Sequence, residues 1–100
     1  MTKAERIRYG KLADMGCVLC RHLGAPGTPS EIHHLRSGQG LGQRAKHDRT
    51  IPLCPAHHRQ GGIGFHGMGK RAFESAYGVT EMDLLDMTNK ILGETECKTA

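Results

Sequence analysis

The chain has no tryptophan and only two tyrosines and two phenylalanines among its 100 residues. So few large rings make a thin core, and a chain this short then needs an added staple. No apolar run approaches the roughly 20 residues that cross a bilayer. No basic segment followed by an apolar stretch marks a secretion signal, so the expected setting is cytoplasmic, with no membrane partner. Thiols stay reduced there, which disfavours disulfides as the staple. Four cysteines and seven histidines point to a bound metal instead. The length allows one domain, 1–100, with no internal repeat.

Acidic residues are scarce in most of the chain. Through Arg71 there are twelve Lys and Arg against four Asp and Glu, and from Ala72 onward two against six. The basic part holds every histidine, as expected if a site there faces a polyanion. Nucleic acid is the expected partner, in preference to a merely solvated basic surface. Arg36, Arg44, Lys46, Arg49, Arg59, Lys70 and Arg71 are the candidate phosphate contacts.

Local signals give an α+β chain. Thr2 to Met15 reads as a helix with Ile7, Leu12 and Met15 along one side, its arginines facing outward, and Gly16 ending it. Cys17 to Cys20 reads as a metal knuckle, followed by a loop to Ser30 in which His22 is a surface residue. Two strands follow, Glu31–Leu35 and Thr50–Leu53, joined by a glycine-rich basic loop. Pro52 has no N–H, so it belongs at an edge or strand end. Cys54-Pro55 opens a helix, and His66 lies beyond the glycines that stop it. A helix over Gly69–Tyr77 should pack Ala72, Phe73, Ala76 and Tyr77. Thr80 caps a last helix running to about Leu92, with Met82, Leu84, Leu85, Met87, Ile91 and Leu92 as its apolar residues. The remaining tail should be frayed, and no role attaches to Cys97.

Cys17, Cys20, Cys54 and His57 form a CxxC…CxxH set of the donors that tetrahedral zinc prefers. The hairpin lies between the two pairs, so a structural zinc would clamp the first helix to the start of the helix that Cys54-Pro55 opens. His57 and His58, adjacent on a helix, point about 100° apart, and His33 and His34, adjacent on a strand, also diverge. Two separate sites are therefore expected, one with thiolates and one built from imidazoles. A hairpin carrying His-His and a helix carrying another histidine is a ββα-metal arrangement, with its core over about 31–66.

In the segments CVLC, EIHHL, DRTIPLCPAHH and GGIGFHGMGKRAF the chain resembles the HNH endonuclease superfamily. More narrowly, it resembles the phage recombination-enhancement (Ref) family of RecA-dependent nucleases. The resemblance covers roughly Cys17 to Gly78. It implies a metal-dependent DNA endonuclease acting with RecA filaments in a bacterial host cell. His33, His58 and His66 would hold a divalent cation (Mg2+, Zn2+, Mn2+ or Ni2+), and His34 would be the general base. The middle Asn of the superfamily motif is absent. Asp48 lies near its place and would hold the His34 tautomer. The alternative is a non-catalytic, zinc-stapled DNA-binding adaptor in recombination, which leaves the four other histidines without work. An RNA-binding knuckle is disfavoured by the shortage of aromatics for base stacking.

Overall fold

The computed structural model of the chain describes residues 2–35, 49–59 and 64–99, excepting the side chains at 66 and 94–99. Its elements are α1 (Lys3–Met15), α2 (Val18–His22), β1 (Glu31–His34), β2 (Thr50–Leu53), α3 (Pro55–His58), α4 (Phe65–Met68), α5 (Lys70–Tyr77) and α6 (Glu81–Thr99). This is a small α+β fold around one two-stranded sheet. None of the described helices is long and apolar enough to cross a membrane.

The sheet is the pivot. β1 and β2 pair antiparallel, with Glu31 opposite Leu53, Ile32 opposite Pro52, His33 opposite Ile51 and His34 opposite Thr50. Each strand of a two-stranded sheet has an open edge, so Pro52 is tolerated inside β2. Directly opposed residues share a face. His34 and Thr50 therefore lie together toward α1, where Arg8 donates to the Thr50 hydroxyl at 2.9 Å and its carbonyl at 2.7 Å. His33 and Ile51 lie on the other face, both fully buried. β2 is buried at all four positions, covered from both sides.

The helix termini follow their local chemistry. The Thr2 hydroxyl accepts from the Glu5 N–H at 3.1 Å and starts α1. At α6, Thr80 accepts from the Asp83 N–H at 3.0 Å while the Asp83 carboxylate accepts from the Thr80 N–H at 2.9 Å. That reciprocal pair is a capping box. Gly78 closes α5 in a left-handed conformation at φ 72°. Leu12, Leu19, Leu35, Ile51, Leu53, Phe73 and Leu84 make up much of the fully buried interior.

Several expectations need correction. Ile7 is half exposed and Met82 is also exposed, while Ala72 and Ala76 lie on the solvent side of α5. Arg8 points inward, because the end of β2 offers it two oxygen acceptors. The CxxC segment is the start of a helix, with the Cys17 sulfur accepting from the Cys20 N–H at 3.3 Å. His66 does lie beyond α3, on the backbone of a separate short helix, α4. α6 continues through the expected frayed tail to Thr99.

Two glycines in and after α1 predict opposite outcomes. Gly16 has φ 75°, and a Cβ there would lie 2.8 Å from the Thr28 carbonyl oxygen, whereas nothing lies within 4 Å of a Cβ at Gly10. Gly16→Ala should cost about 1–3 kcal/mol, and Gly10→Ala should add about 0.5–1 kcal/mol by raising helix propensity. Thermal unfolding of the two variants checks this, and equal midpoints would contradict it.

Candidate functional site

The first centre joins two helices. Cys17 caps α2, Cys20 lies within it, Cys54 caps α3, and His57 lies in α3. Their four ligand atoms lie within 4.8 Å of one another, close enough to hold one metal ion. His57 Nδ1 is 3.3 Å from the Cys54 sulfur, 3.4 Å from the Cys20 sulfur and 4.0 Å from the Cys17 sulfur. The Cys20 and Cys54 sulfurs are 3.7 Å apart. A tetrahedron with metal–sulfur bonds of about 2.3 Å and a metal–nitrogen bond of about 2.1 Å has edges of about 3.6–3.8 Å, so the observed spacings fit.

The electrostatics of the cluster fit as well. Burial pushes the Cys17 thiol up to about 12, so a thiolate there needs a cation beside it. Burial lowers the His57 pKa, which keeps its imidazole neutral as a ligand must be. Tyr77 packs edge-on against His57 with ring centres 5.3 Å apart. Among the described residues, this is the one group of three or more donors so closely gathered.

His58, next to His57, turns to a different neighbourhood. Its ring meets His33 edge-on with centres 5.1 Å apart, and His33 in turn meets Phe65 at 4.9 Å. Each of the two imidazoles faces a carboxylate. His33 Nε2 lies 2.7 Å from Glu81 Oε2, with both side chains buried. His58 Nδ1 lies 2.9 Å from Glu31 Oε1. Arg59 grips the same Glu31 through both carboxylate oxygens, at 2.9 Å from Nε and 2.7 Å from a terminal nitrogen. The Arg59 guanidinium, with the His58 imidazole, holds the Glu31 carboxyl down at about 2.

His34 sits on the opposite face of β1, where its Nε2 is 3.4 Å from the Tyr9 hydroxyl. The structure thus brings His33 and His58 together and turns His34 toward α1. Arg49 reaches the Met82 sulfur at 3.6 Å. Lys70 and Arg71 line a cavity of about 400 Å3 with Glu74. His22 is exposed. Arg36, Arg44, Lys46 and Asp48 lie outside the described residues, as does the side chain of His66.

Three neighbours of the site had no sequence signal of their own. Glu81 falls in the first turn of α6, where an acidic side chain suits the helix dipole, Glu31 starts β1 and Tyr9 lies within α1. Each meets its histidine across 25 to 48 residues of chain.

The family model described as recombination enhancement, RecA-dependent nuclease matches residues 1–93, and the chain belongs to that family. None of the curated proteins compared with the chain matches it. The match extends beyond the segments that carried the sequence resemblance, taking in α1 and most of α6.

The cluster predicts a metal-dependent fold. Native mass spectrometry should show one tightly held metal ion per chain, absent from Cys54→Ala. Stripping that ion with a chelator should cost about 3 kcal/mol or more, a fall in Tm of roughly 12 °C or more. An unchanged melting curve after complete removal would contradict this.

Proposed function

We propose that the chain is a metal-dependent DNA endonuclease of the HNH type that acts with RecA filaments in recombination, with Cys17, Cys20, Cys54 and His57 holding a structural zinc. Family membership supplies the nuclease class. The observation that best supports the rest is the close pair of His33 and His58 imidazoles, apart from the thiolate cluster. Two imidazoles on one cation, with metal–nitrogen bonds of about 2.1 Å and a near-tetrahedral angle, have ring centres about 5 Å apart. The 5.1 Å spacing of His33 and His58 fits that arrangement. His66, on α4 just after Phe65, completes the proposed donor set.

A divalent cation held there would supply a Lewis acid for a nonbridging phosphate oxygen and for the leaving 3′ oxygen. His34 acts as general base toward the attacking water. In that role it keeps its proton on Nε2, which faces the Tyr9 hydroxyl, and takes the water proton at Nδ1. Arg36, Arg44, Lys46, Arg49, Arg59, Lys70 and Arg71 bind phosphates, which gives salt-sensitive affinity with little base preference.

A nicking assay on circular and single-stranded DNA, with and without RecA and ATP, tests the reading. Cleavage should require the filament. His34→Ala should lower it by about 10²–10⁴-fold while DNA binding and metal content persist. Cleavage by His34→Ala at the wild-type rate would exclude the assigned base.

A further inference from the structure

Two carboxylates stand behind the two paired histidines, Glu81 against His33 and Glu31 against His58. Glu81 is 1% exposed and faces a fully buried His33. Removing a carboxylate and an imidazole from water is costly, and an apolar pair of similar size would serve packing as well or better. The capping hydrogen bonds at the start of α6 come from Thr80 and Asp83, which leaves the Glu81 carboxylate turned to His33. On the other side of the pair, Glu31 is fixed by the two-pronged contact from Arg59 and presents one of the same oxygens to His58. A carboxylate only accepts hydrogen bonds, so the ring nitrogen facing it carries the proton. The lone pair of a neutral imidazole is then on the other nitrogen.

We propose that Glu81 and Glu31 are positioning residues that each hold one imidazole of a divalent-cation site, making Nδ1 of His33 and Nε2 of His58 its donor atoms. This rests on the endonuclease reading above and adds to it a defined donor nitrogen on each ring. Two strand residues and two helices meet in the arrangement: Glu31 and His33 share a face of β1, His58 comes from α3 and Glu81 from α6. The carboxylates set tautomer and ring orientation before any cation arrives, which lowers the ordering needed on binding.

The test uses the full-length protein with its Cys/His cluster loaded, and Ni2+ alone as the probe. Long-range ¹H–¹⁵N spectra of the imidazoles read the tautomers, and calorimetry reads Ni2+ affinity. In the wild type, His33 should be protonated at Nε2 and His58 at Nδ1. Glu81→Ala and Glu31→Ala should each weaken Ni2+ binding by about 10–100-fold, with the cluster metal retained. Glu81→Gln, whose amide oxygen still accepts from His33, should stay nearer the wild type than Glu81→Ala. If Glu81→Ala does not fold, Glu31→Ala carries the test, since Glu31 is 30% exposed. The opposite tautomers, or wild-type Ni2+ affinity in the folded alanine variants, would overturn the proposal while leaving the endonuclease reading intact. A wild type that takes up no Ni2+ beyond the cluster would remove both.

Discussion

The gathering of Cys17, Cys20, Cys54 and His57 around one point is the constraint on which the rest of the chain depends. It ties the end of α1 and all of α2 to the junction of β2 and α3, segments separated by the hairpin. Because His57 is committed to that point, helical geometry turns His58 away from it and toward β1. The cluster therefore sets the position of the His33–His58 pair without including it. Gly16 is part of the same constraint. Its positive φ lets the chain leave α1 against the Thr28 carbonyl and deliver Cys17 to the cluster.

The scarcity of aromatic residues acquires a meaning here. Tyr77 packs on His57, Phe73 joins Tyr77 to Phe65, and Phe65 packs on His33, which meets His58. The remaining aromatic, Tyr9, lies against His34. All four rings of this small chain thus touch the histidine sites directly or through one neighbour. Packing and site construction are one task in a domain of this size, with the rings fixing imidazole orientation as they fill the interior.

The sequence made some of this legible because the chemistry was local. Metal-ligand spacing, adjacent histidines and the Thr80 cap are patterns within a few residues, and the cluster, strands and most helices follow from them. Contacts across long loops were not legible. Glu81 matched a helix-dipole role, and its partner His33 lies 48 residues earlier. Arg8 matched a solvent-facing role, and its partner Thr50 lies 42 residues later. α1 has only a weak apolar stripe, so nothing in its periodicity separates the exposed Ile7 from the buried Leu12. The tail after Leu92 lacks apolar spacing, yet α6 carries its backbone ladder through it.

We propose two chemically distinct metal sites side by side on α3, one reached through His57 and the other through His58. X-ray absorption on protein loaded with zinc and then with Ni2+ tests it most directly, since each edge reports its own donors. The account predicts three sulfurs and one nitrogen at the zinc edge, with zinc–sulfur distances of about 2.3 Å. At the nickel edge it predicts nitrogen and oxygen only. Sulfur around the nickel with loss of zinc would mean that the two ions compete for one site, and would contradict the claim.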